Sequence, residues 1–151
     1  MPWINLTVRR GALTREIQHA IMAKLTEVLM FWEKVPDTPE GRKRTKGWVY
    51  EVAEDADYSG GRANHKEPFY FIEIRIPAGR IDGLTKQHLL RDFTKVILLA
   101  EGRAFTPEDS NRVWVTILEL DRDDWSIAGH TDWLRDYESA LNTLGTDLKS
   151  R

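Results

Sequence analysis

A strand–helix–strand pattern that occurs twice constrains this 151-residue chain more than any other feature. From Trp3 to Arg9 the residues alternate, with Ile4, Leu6 and Val8 on one side and Asn5, Thr7 and Arg9 on the other. That is the period of a strand with one buried face. Gly11 breaks it, Thr14 stands as a helix N-cap, and Ile17, Ile21, Leu25, Val28 and Trp32 then recur at helical spacing. The helix is expected to stop before Val35-Pro36, because proline disfavours helix in the residue preceding it. A polar loop over Gly41–Gly47 leads to a second strand, Trp48–Val52, closed by the turn-rich Asp57–Gly61. The second pass has an alternating strand over Phe69–Ile76 and a turn at Pro77–Arg80. A helix stripe of Leu89, Leu90, Phe93, Val96, Ile97 and Ala100 follows, with a stop at Gly102. It ends in a strand over Arg112–Leu118 and in Asp124–Gly129, which matches Asp57–Gly61. The two passes align at an offset of about 70 residues, slipping by a few in the helices.

A helix of this length between two strands implies a parallel crossover in each half. Two such βαβ units give an α/β (α+β) chain with a four-stranded mixed sheet and both helices on one face. The other face carries Asn5, Thr7, Arg9, Glu73 and Arg75. A half-covered sheet of this size is a thin core, so its second face is expected to be buried in an oligomer, where Arg75 would pair with Glu73 across subunits. The whole of 1–151 reads as one domain: a first unit over about 2–61, a second over about 69–129, and a C-terminal helix or arm over about 131–145.

Composition narrows function by exclusion. Lys and Arg total 22 against 24 for Asp and Glu, which lacks the basic excess of a dedicated nucleic-acid binder. Cysteine is absent, and the four histidines show neither HExxH nor i,i+4 spacing, so no metal is expected. No apolar run approaches the ~18–20 residues of a membrane span, and the start has no secretory pattern. A soluble, cytoplasmic protein without nucleic-acid or membrane partners is the expectation.

The chain resembles the tautomerase superfamily in its double-length branch. Pro2 follows the initiator Met and leads straight into the first strand, each half is a βαβ unit, Gly79-Arg80 joins strand to helix, and each half ends in an aromatic-Ser-(x)-Gly turn. The stretch from Val113 to Ser126 looks most like the malonate semialdehyde decarboxylase and cis-3-chloroacrylic acid dehalogenase branches. The resemblance implies a tautomerase/MIF-like homotrimer and a cofactor-independent enzyme acting on a small carboxylate or enol. Its base would be Pro2, whose nitrogen becomes a secondary amine only once Met1 is removed. An ordinary α-amino group titrates near ~7.7–8, and burial or nearby cations lower it towards neutrality. Such a base can move a proton α to a carbonyl, which is keto–enol tautomerisation.

The resemblance further implies that Arg80 clamps a substrate carboxylate and that Trp125 walls the pocket, although core packing would also account for Trp125. Trp114 stands where short relatives carry a second substrate-binding arginine. Arg112 could reach a neighbouring site or lie at the surface, and Arg9 and Arg10 could join the site or sit in solvent. Ala12 replaces the turn arginine in the first half. Leu29, Pro77, Thr116 and Ile127 occupy the positions of the dehalogenase machinery, and Ala78 that of a decarboxylase arginine. An isomerase, specifically a keto–enol tautomerase, is therefore favoured over a decarboxylase or hydratase of three-carbon acids. A non-catalytic trimeric binding or signalling protein on the same scaffold is the alternative.

Overall fold

The computed structural model describes residues 2–126. Its main sheet has four strands in the order β2-β1-β5-β6, with β1 Trp3–Arg9, β2 Lys46–Val52, β5 Tyr70–Pro77 and β6 Val113–Leu120. β1 runs parallel to β2 and β5 parallel to β6, while β1 and β5 meet antiparallel at the centre. A short hairpin, β3 Tyr58–Ser59 with β4 Arg62–Ala63, lies outside this sheet. Helices α1 Arg15–Trp32 and α3 Gly83–Ala100 cover one face. Ile4, Leu6, Val8, Ile72, Ile74 and Ile76 point into that layer and meet Ile21, Leu25 and Leu29 of α1 and Leu89, Phe93 and Ile97 of α3.

The duplication is tighter than the sequence pattern suggests. A single shift of 68 residues carries α1 onto α3, Gly11 onto Gly79, and the register Trp3↔Lys46 onto Phe71↔Trp114, with no slip in the helices. The same shift exchanges Trp3↔Arg75 with Thr7↔Phe71, so a pseudo-two-fold axis passes between Asn5 and Glu73. Asn5 Nδ2 donates to Glu73 Oε1 there at 3.2 Å.

The repeat is also kept in the caps. Thr14 and Asp82 open α1 and α3 by accepting from the backbone N–H three residues on. Both helices end in the same two bonds, Lys34 N–H to Phe31 O with Val35 N–H to Met30 O, and Gly102 N–H to Leu99 O with Arg103 N–H to Leu98 O. The residue after each cap takes a positive φ, 70° at Gly102 but 56° at Lys34, where a side chain must tolerate it.

Two details differ from the sequence reading. The polar segment before β2 is partly helical: Thr38 and Pro39 start α2, Pro39–Arg44, as Thr106 and Pro107 start α4, Pro107–Ser110. Counted at 68, Trp125 falls opposite Asp57 rather than Tyr58. Glu73 and Arg75 also pair within one chain, at 2.6 Å, because both project from the same face of β5 two residues apart. The expected C-terminal helix or arm, about 131–145, lies outside the described residues.

Candidate active site at the proline end of the sheet

Strand direction brings the first candidate group together. β1 and β2 begin, and β5 and β6 end, at the same edge of the sheet, and α1 returns to that edge to finish at Trp32. Pro2 is buried there, its carbonyl accepting from Lys46 N–H at 3.2 Å. Trp125, which follows the 3-10 turn Arg122–Asp124 after β6, packs its ring 5.5 Å from that of Trp3, and the Arg75 guanidinium lies 5.2 Å over the Trp3 ring. Arg80 leaves the β5–α3 turn and donates from Nη2 to the Glu33 carbonyl at 3.3 Å.

The turn that carries Arg80 is pinned from two sides. Gly79 takes φ +71°, a conformation natural to glycine, and its N–H donates to Glu119 Oε1 at 3.0 Å. Lys86 of α3 holds the other oxygen of Glu119 at 2.6 Å and keeps that carboxyl below its usual range, with the Gly79 N–H adding to the effect.

Glu33, the cap of α1, is the least expected member of this group. It is 4% exposed, and its Oε2 has no hydrogen-bond partner. Burial pushes its carboxyl up to about 7, against the opposing positive charges of Arg80 and the chain's amino terminus. Sequence reasoning missed it, yet a signal exists: Ile21, Leu25 and Leu29 form a buried i,i+4 stripe, and Glu33 is its next position.

The opposite end of the sheet shows the same frame with both oxygens of its cap carboxylate engaged. Tyr70, the pseudo-symmetric counterpart of Pro2, is buried and its hydroxyl donates to Glu101 Oε1 at 2.7 Å. Glu101, the counterpart of Glu33, is also held by Arg112 Nη2 at 2.6 Å. Arg112 in turn donates to Pro68 O at 3.1 Å and pairs with Glu67 at 3.2 Å. Arg9 closes the same end by donating to the carbonyls of Asn64 and Lys66, each at 2.7 Å, and it pairs with Asp57 at 3.8 Å.

Of the residues singled out in the sequence, Pro2, Arg80 and Trp125 share the proline end, whereas Arg112 and Trp114 lie at the far end of β6. Arg112 is 8% exposed and engaged as described. Trp114 is 62% exposed and, with Tyr58, Phe69 and Phe71, lines a cleft of about 300 Å³. Arg9 belongs to the far end as a latch. Among the described residues no group of three or more His, Cys, Asp or Glu is placed to hold a metal ion, and no helix is long and apolar enough to cross a membrane.

No protein-family model matches the chain, and neither does any curated protein. Solved structures do. N1, a member of the cis-3-chloroacrylic acid dehalogenase family, superposes with a TM-score of 0.72 at 18% identity, covering 99% of each chain. A fused 4-OT described as an asymmetric trimer gives 0.69 at 17% identity, over 85% of this chain and 94% of its own. Pt0534, in a form inactivated by 2-oxo-3-pentynoate, gives 0.69 at 14% identity, over 84% of this chain and 92% of its own. With the two fused βαβ units, the mixed sheet and both helices on one face, this chain has the fold of the tautomerase superfamily in its double-length form.

Proposed function

We propose that the protein is a cofactor-independent proton-transfer enzyme, a keto–enol tautomerase that uses Pro2 as its base and acid once Met1 is removed. One observation carries the reading: the buried start of β1 shares its end of the sheet with a turn arginine, a buried carboxyl and an indole. The secondary amine of a terminal Pro2 would take or return the proton at the carbon next to the substrate carbonyl. Arg80, with one donor on the Glu33 carbonyl, has others to offer a substrate carboxylate. Trp125 would supply apolar walling. Leu29 is fully buried in the core and Pro77 ends a strand, so neither place supplies the dehalogenase's water-activating groups.

A homotrimer is part of the proposal. The sheet face away from the helices exposes Trp48, Tyr50, Phe71, Trp114 and Leu118, an apolar band that a second copy would bury. Assembly in that way would also bring Trp114 and the far end of β6 towards another chain's proline end, where Trp114 and Arg112 would help to line the pocket. Light scattering that returns three chain masses supports this arrangement, and a monomer mass contradicts it.

The kinetic test uses phenylenolpyruvate as the enol. Protein whose intact mass lacks Met1 should ketonise it, and Pro2→Ala should lower kcat/KM by about 10²–10⁴-fold. Arg80→Ala should act mainly on KM, raising it about 10–100-fold, the worth of a charge-assisted hydrogen bond. Wild-type rates in Pro2→Ala would overturn the mechanism.

A further inference from the structure

The pseudo-symmetry supplies what a single site cannot, an internal picture of a hydroxyl bound to the carboxyl at the helix cap. The shift of 68 residues that carries α1 onto α3 carries Pro2 onto Tyr70 and Glu33 onto Glu101. In the second half the phenol of Tyr70 sits 2.7 Å from Glu101 Oε1. In the first half Pro2 has no hydroxyl to offer, and Glu33 Oε2 is buried with no partner. We infer that Glu33 is a second catalytic acid–base group, whose Oε2 receives the hydroxyl of an enol substrate in the position that Tyr70 fills for Glu101. This deepens the proline reading and rests on it.

The chemistry balances without a co-reactant. As the enol O–H bond breaks, its proton passes to Glu33 Oε2 and the C–O bond becomes the carbonyl. The electron pair of the C=C bond takes the proton from the Pro2 ammonium, leaving a neutral amine. The proton on Glu33 then returns to Pro2, and both groups are ready for the next enol. A carboxyl raised towards neutrality by burial suits both directions of that exchange. The charges acting on it are Arg80, from the β5–α3 turn, and the amino terminus, which precedes β1. Neighbouring Lys34 acts on Asp82, the cap of α3, and Lys86 is held by Glu119.

Glu33→Gln keeps the shape, removes the proton site and leaves no buried charge behind. It should lower kcat for phenylenolpyruvate about 10²-fold with KM within about threefold, and it should erase the acid limb of the pH profile, set by ionisation of Glu33, while the alkaline limb set by Pro2 remains. Wild-type kcat with an unchanged profile overturns the inference. If Pro2→Ala is inactive while Glu33→Gln is not, this inference fails and the proline reading stands; if neither variant loses activity, the proline reading itself fails. A readout independent of turnover is the rate at which 2-oxo-3-pentynoate labels Pro2, followed against pH. Loss of the carboxylate should move its midpoint down by about half a pH unit or more, because a nearby negative charge holds the proton on the amine. Superimposable labelling profiles overturn the inference.

Discussion

The two ends of the sheet are the same construction with different endings. At the far end Tyr70, Glu101 and Arg112 satisfy one another, Arg9 ties down the surrounding loop, and Ala12 stands in the turn. At the proline end a residue without a hydroxyl replaces Tyr70, an arginine replaces Ala12, an indole stands opposite Asp57, and the cap carboxylate keeps an oxygen without a partner. Duplication thus separates scaffold from site. Residues that agree across the 68-residue shift, the caps, glycine turns and core stripes, hold the sheet and helices. Residues that disagree set the two ends apart: the cap carboxylate is fully engaged at the far end and keeps one buried oxygen without a partner at the proline end.

That contrast can be broken by experiment. The largest effect belongs to Pro2→Ala, a loss of about 10²–10⁴-fold in kcat/KM, while Tyr70→Phe at the matching position should leave kinetics unchanged. Next come the two cap glutamates, which should respond to amidation with opposite signs. Glu33 titrates at about 7 in the fold against an ordinary 4.5. Between those values the folded chain binds more protons than the unfolded one, so its stability is full below pH 4.5, falls as pH rises to about 7 and is level above. The loss amounts to at most about 3 kcal/mol, and Glu33→Gln should abolish it in denaturant titrations run from pH 4.5 to 8. Glu101→Gln should instead destabilise by about 3 kcal/mol at neutral pH, because it removes the carboxylate charge that faces the buried Arg112 guanidinium most closely. Tyr70→Phe, which removes one hydrogen bond to a carboxylate, should cost about 1.5–3 kcal/mol in the same assay. The smallest effect tests the scaffold alone: Lys34→Gly should stabilise by about 1 kcal/mol, since Gly102 already occupies that left-handed position in the second half.

Much of the scaffold was legible in the sequence because it follows local periodicity. Alternation over Trp3–Arg9 and the i,i+4 stripes marked β1, α1 and α3, and Thr14 and Gly102 marked helix ends. The tripeptide Thr-Pro-Glu at 38–40 and again at 106–108 contained the exact shift, but short helices such as α2 give too few periodic positions to register beside a basic run. Arg80 and Trp125 could be named from their turns. Glu33 could not be recognised in the same way, because a glutamate after a helix reads as a solvated end until the packing shows that it continues a buried stripe. The unpartnered state of its Oε2, and the engaged carboxylate of Glu101, are tertiary facts that no local pattern encodes. The same holds for the Glu73–Arg75 contact, whose partner choice depends on the neighbours in the sheet.

The proposed mechanism requires the first half to present a reactive terminal proline where the second half presents a buried tyrosine. Treating the protein with 2-oxo-3-pentynoate and mapping the adduct by peptide mass spectrometry tests this directly. Addition of the amine across the triple bond forms a nitrogen–carbon bond and moves the amine proton to carbon, so the label adds the whole reagent mass. We expect one label per chain, on Pro2 of protein that has lost Met1, and no label in Pro2→Ala. Protein that retains Met1 and stays unlabelled, or a label that maps elsewhere in the chain, would contradict it.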